Sequence, residues 1–166
     1  MDRLVAIWEV VTRPLDSLSE FLPQLFLRLI LAYEFWEAGV MKFTGDNWFS
    51  SIKESFPFPF NVINTEISWF MATWSELIGA VLLVLGLFTR FATASLIILT
   101  IVAAMAVHWP ENATTLAEFW EGYAISNKGG SGNYKLPLLY LIMFLPLLFG
   151  GAGKLSIDHL LKKYFD

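Results

Sequence analysis

Apolar positions along this chain fall into long blocks, not into the short alternating or three-and-four spaced runs of a soluble domain. Residues 91–107 (FATASLIILTIVAAMAV) contain no charge and reach the length of a membrane-crossing helix. Residues 67–89 are apolar apart from Glu76 and a few small polar residues. Residues 136–150 form a shorter block, with Pro137 placed for a first helical turn and Pro146 expected to kink its far end. Residues 22–43 (LPQLFLRLILAYEFWEAGVMKF) are apolar between Arg28, Glu34, Glu37 and Lys42. Together these blocks predict spans at about 22–43, 67–89, 91–109 and 135–151. Upstream, residues 2–20 mix Leu4, Val5, Ile7, Trp8, Val11, Leu15 and Leu18 with charges, the pattern of an amphipathic helix lying on a membrane surface and broken at Pro14. The expected fold is therefore all-α: one domain over residues 1–166, a polytopic membrane four-helix bundle with an N-terminal interfacial helix.

Composition supports the membrane reading. Hydrophobic residues make up 56% of the 166 and charged residues 16%, against about 25% charged in soluble domains. The net charge of −4 and the lack of a basic run point away from nucleic acid. Cysteine is absent, which removes disulfides, thiolate catalysis and a dithiol relay within the chain. Charges among the first apolar residues argue against a cleavable signal.

Basic residues set the expected orientation. Arg3, Arg13, Arg90, Lys154, Lys162 and Lys163 lie in the N-terminal segment, the short second connection and the C-terminal tail, whereas the connections 44–66 and 108–133 are net acidic. Both termini are thus expected in the cytoplasm, with two long loops outside a bacterial inner membrane. Those loops and the adjacent helix ends are rich in aromatic residues, among them Trp48, Phe49, Phe56, Trp69, Trp74 and Trp109. They form either an interfacial belt or a lid over an apolar cofactor site, with FPFPF at 56–60 stiffening such a lid. GGSG at 129–132 reads as a flexible turn.

At about 100° per residue, Arg28, Ala32, Phe35, Gly39 and Lys42 share one stripe of the first span. Ala72, Glu76, Gly79, Leu83, Gly86 and Arg90 share one stripe of the second. Small residues permit close helix approach, and a charge inside a bilayer demands a partner. The expected packing sets the two stripes face to face, with Glu76 between Arg28 and Lys42. Such an interface is either a buried ion pair that fixes helix register or a polar site for the head group of a lipid-soluble ligand such as a quinone. In the second case Arg28 or Lys42 hydrogen-bonds a carbonyl oxygen, both lining the site, Glu76 handles protons as the catalytic group, and Gly39, Gly79 and Trp74 complete the site. Glu34 and Glu37 point elsewhere on the first span, towards another helix or a second protomer. His108 is an interfacial anchor or a companion to Glu34 and Glu37. No metal site is expected, because no histidine stands at helical spacing beside those carboxylates.

The run R28-L-I-L-A-Y-E-F-W-E-A-G39-V-M-K42 resembles the first-helix signature of the DoxX/DoxD family of small membrane proteins. E76-L-I-G79-A-V-L-L-V-L-G86-L-F-T-R90 is similar to its second-helix motif, and G150-G-A-G153-K-L-S156-I-D158 to its glycine-rich ending. The resemblance implies a four-helix membrane fold. Family members include a quinone-reducing subunit and proteins of redox or metal stress, and the first helix and aromatic loops look most like the branch found with copper-responsive peptide-modification systems (the HvfX type). The resulting expectation is a quinone-interacting subunit of a membrane redox system, held in the lipid bilayer beside a redox or biosynthetic partner protein, with homo-oligomers allowed. The alternatives are a non-enzymatic assembly partner in a copper-responsive system and a small ion or acid transporter.

Overall fold

The structure is a computed structural model that describes residues 2–111 and 113–165. Side chains at positions 2–7 and 11, which include Arg3, Leu4, Val5, Ile7 and Val11 of the expected amphipathic face, lie outside the described set. The elements are α1 (Asp2–Ser19), α2 (Leu22–Thr44), a 3₁₀ turn (Phe49–Ser55), α3 (Thr65–Leu85), α4 (Thr89–Ala103) with a π-turn at its end (Ala104–His108), α5 (Leu116–Glu121), α6 (Lys135–Gly150) and α7 (Ile157–Phe165). No strand occurs among the described residues.

Four of these helices share a core. α2 packs on α3 and α6, and α4 packs on the same two. Leu31, Ala32 and Phe35 of α2 meet Ala80 and Leu83 of α3, Leu96 of α4, and Phe144 and Leu147 of α6. The faces turned away from this core are equally apolar: Ile30, Phe70, Ile78, Phe91, Ile98 and Phe149 are all exposed. Water would penalise such a surface, and hydrocarbon accepts it. α3 and the continuous helix Thr89–His108 are long and apolar enough to cross a membrane, while α6 is apolar but shorter. α2 has the length but carries charges, the expected consequence of a polar interior.

Three details depart from expectation. The second span ends at Leu85 and not near 89, because Gly86 adopts φ +62° and the Leu87 N–H donates back to Leu82 O at 3.0 Å, a Schellman-type stop. Arg90 therefore belongs to α4, where Nη2 donates to Phe149 O at 3.0 Å, and is not part of the Glu76 stripe. α1 continues through Pro14 to Ser19 without the expected break. The tail beyond the glycines folds as α7, which hydropathy did not reveal.

Between the helices, α5 is held by a capping box of Thr115 and Glu118. The Thr114 and Thr115 backbone N–H groups and the Thr114 hydroxyl all donate to Glu118, which holds its carboxyl below the usual glutamate range.

Candidate functional site

Two polar centres are built into the core, at opposite ends of the bundle. The first lies towards the long loops. Lys42 stands at the last turn of α2 and, because helical side chains lean towards the N-terminus, reaches back across Gly39 to α3. Its Nζ donates to both Glu76 oxygens at 2.8 Å. Gly39 makes the approach possible: a Cβ there would sit 2.8 Å from Leu77 Cδ2 and 3.2 Å from Glu76 Cβ. The Glu76 side chain is 3% exposed and that of Lys42 16%, so the pair is desolvated except on one side.

That open side is a cavity of about 580 Å³. The first half of α3 supplies Ser68, Met71, Ala72, Ser75 and Glu76, and α4 with its π-turn supplies Ser95, Ile98, Leu99, Val102, Val107 and His108. The roof is the segment after α2, through Trp48, Phe49, Ile52, Phe56 and Phe60. Phe49 and Phe56 are buried, with ring centroids 5.0 Å apart, and Trp69 meets Phe49 edge-on at 4.9 Å. These rings form a packed lid over the cavity, whereas Phe58, the middle phenylalanine of FPFPF, is 81% exposed.

The polar inventory of the cavity is short. An ammonium has three donors. Two reach Glu76, and the third has no hydrogen-bond partner among the described residues. Ser68 Oγ is buried with no partner among the described residues. A mostly apolar chamber with one spare cationic donor and one unsatisfied hydroxyl suits an apolar ligand bearing an oxygen acceptor. Nothing in the sequence singles out Ser68, Ser75 and Ser95, because isolated serines in apolar spans are common, and only the fold gathers them.

The second centre lies at the opposite end, near the start of α2 and the turn between α3 and α4. Arg28 is 1% exposed and sits 14 residues before Lys42, about 21 Å along α2. It does not line the cavity or meet Glu76. Nη2 donates to Leu155 O at 2.5 Å and Nη1 to Leu83 O at 3.4 Å. Asp158, three residues further along, accepts from the Phe88 N–H at 2.8 Å and the Thr89 N–H at 2.9 Å, and donates its own N–H to Gly86 O at 2.9 Å. One arginine and one aspartate thus tie α2, the turn between α3 and α4, and the glycine-rich tail into a latch. Phe88 is held at φ +47°, a conformation costly for a residue with a Cβ and one that the two Asp158 bonds offset. Asp158→Ala should lower stability by about 1–2 kcal/mol, as for loss of a helix N-cap, read as a lower thermal midpoint in detergent.

The remaining expected site residues lie elsewhere. Gly79 packs on α4, where a Cβ would sit 3.0 Å from Leu96, and does not line the cavity. Trp74 is 39% exposed and meets Phe43 edge-on outside the cavity. Glu34 accepts from the Tyr140 hydroxyl of α6 at 2.5 Å, Glu37 is exposed, and His108 pairs with Asn133. Among the described residues no group of carboxylates and histidines could hold a metal. Tyr140→Phe should cost about 1–3 kcal/mol, since it strands the half-buried Glu34 carboxylate, and a chemical-denaturation series would register it.

The family model named DoxX matches residues 24–109, which span α2, the lid, α3 and α4 with its π-turn. The chain belongs to the DoxX family. It is 45% identical over 141 residues to an uncharacterized protein of Haemophilus influenzae, covering 85% of this chain and 84% of the relative. A second uncharacterized protein of Haemophilus influenzae is 31% identical over 150 residues, covering 87% and 96%. No solved structure matches. The DoxX match makes this a membrane protein and contains every residue of the cavity, while the Leu155–Asp158 half of the latch lies beyond it.

Proposed function

We propose that this DoxX chain binds a quinone head group in the cavity beside Lys42 and Glu76, as a membrane subunit that passes electrons from a partner redox protein to the quinone pool. In this reading α2, α3, α4 and α6 span the inner membrane, both termini are cytoplasmic, and the lid faces outward. The carrying observation is the cavity itself: about 580 Å³, almost wholly apolar, with a single ion pair whose ammonium keeps one donor free. Met71 and Ile98 line it and are also exposed on the outer face of the bundle, which gives a lipid-soluble ligand a route in from the bilayer.

Lys42 Nζ donates to a quinone oxygen, and Glu76 exchanges protons through Lys42. Reduction takes two electrons from the partner's redox group and two protons, converting both carbonyls to hydroxyls. Arg28, given its latch contacts, acts on the site only through the fold. Solvent extraction of protein isolated in native lipid should yield about one quinone per chain, and Glu76→Gln should remove it while the thermal midpoint shows a folded bundle. Folded wild-type protein that neither holds nor binds quinone would rule the reading out.

A non-enzymatic role as an assembly partner has one observation in its favour. Glu37 is exposed about two-thirds of the way along α2, and a carboxylate facing lipid is stabilised by a second membrane helix. Under that reading Glu37→Lys abolishes function and Glu76→Gln is tolerated.

A further inference from the structure

His108 has no part in the quinone contacts proposed for Lys42 and Glu76, yet it lines the same cavity. Along α4 the cavity positions Ser95, Ile98, Leu99, Val102 and Ala103 follow α-helical spacing. Continued, that spacing would bring 105, 106 and 109 to the cavity and turn 107 and 108 away. Instead Ala104–His108 forms a π-turn, within which α-helical spacing no longer holds. Val107 and His108 both line the cavity.

Which edge of the imidazole is free is decided by its partner. His108 Nδ1 lies 2.8 Å from Asn133 Oδ1. The Asn133 amide is oriented by its own Nδ2, which donates to Ile125 O at 3.3 Å. Oδ1 must therefore accept, and Nδ1 carries the hydrogen. In neutral His108 the remaining nitrogen, Nε2, is then an acceptor, and it has no partner among the described residues. The other charged groups on the cavity wall are Lys42 from α2 and Glu76 from α3.

We infer that His108 is the acceptor for a ligand hydroxyl, so that the cavity selects the hydroquinone over the quinone form of its ligand. The inference rests on the quinone reading and adds a preference to it. Lys42 only donates, and both a carbonyl and a hydroxyl oxygen can receive its bond. Nε2 only accepts, so the reduced form satisfies it and the oxidised form leaves it unpaired.

Full-length protein in lipid nanodiscs, titrated anaerobically with oxidised and reduced decylubiquinone in a calorimeter, tests the inference. One net hydrogen bond predicts that the wild type binds the hydroquinone about tenfold more tightly. His108→Asn keeps a nitrogen to donate to Asn133 but has nothing at the Nε2 position; it should abolish the preference and leave quinone affinity within about twofold. Where that variant folds poorly, His108→Gln, which restores an amide at the Nε2 position, should keep part of the preference and His108→Ala none. Equal affinities in the wild type, or a preference that survives both His108→Asn and His108→Ala, would overturn this inference and leave quinone binding standing. No binding of either form would overturn both.

Discussion

Lys42→Met should unfold the protein more easily and abolish quinone binding, and adding Glu76→Leu should restore the first property without the second. Removing only the ammonium leaves the Glu76 carboxylate, 3% exposed, without its counterion, a change that costs about 3–5 kcal/mol. Replacing both partners with apolar residues of similar size is close to neutral, or stabilising by about 1–4 kcal/mol, because two desolvation penalties disappear with the one attraction. The single and double variants therefore separate the two roles of the pair. If it serves only to fix the register of α2 against α3, the double variant recovers everything measurable. If it holds a ligand, chemical denaturation shows recovered stability while quinone affinity remains at least tenfold below wild type, the loss of a charge-assisted hydrogen bond.

The second large effect is expected at the opposite end. Gly86→Val should prevent accumulation of folded protein, and Gly86→Ala should approach the same outcome. Two terms oppose the substitution. At φ +62° a side chain costs about 1 kcal/mol. The steric term is far larger, since a Cβ at position 86 would sit 1.9 Å from Arg28 Nη1 and 2.6 Å from Ser156 Cβ. Arg28 is buried and cannot swing into solvent, so relief requires breaking its bonds to Leu83 O and Leu155 O. A buried guanidinium stripped of its acceptors is the costliest outcome available to this bundle. Expression with detergent-extraction chromatography reports the result, and a monodisperse Gly86→Val protein with a wild-type thermal midpoint would refute the latch.

Much of this was legible in the sequence for identifiable reasons. Uncharged or nearly uncharged runs announced α3, α4 and α6, and the stripe Arg28, Ala32, Phe35, Gly39 does face the core of α2. The contact between Lys42 and Glu76 also followed from one stripe meeting another across Gly39. The partner of Arg28 did not follow. Periodicity gives a side chain's azimuth, not its depth against a neighbouring helix, and the true acceptors are carbonyls released by a helix stop and by a distant tail. The serine and aspartate of S156-I-D158 read as tail residues because nothing local says that Asp158 caps a helix 70 residues earlier. His108 reads as an interfacial residue because it ends the third span beside Trp109, and nothing in hydropathy marks the π-turn or the cavity it lines. The aromatic loop was ambiguous between belt and lid until Phe49 and Phe56 closed over one wall of the cavity while Phe58 stayed outside.

The central claim, that the cavity between α2, α3 and α4 holds a quinone head group, meets its most direct test in an experimental density map of the protein isolated in native lipid. The expected feature is a flat ring beneath Phe49 and Phe56, within hydrogen-bond reach of Lys42 Nζ, with its tail leaving between Met71 and Ile98. An acyl chain filling the cavity with no ring beside Lys42, or a cavity collapsed onto its own side chains, would contradict it.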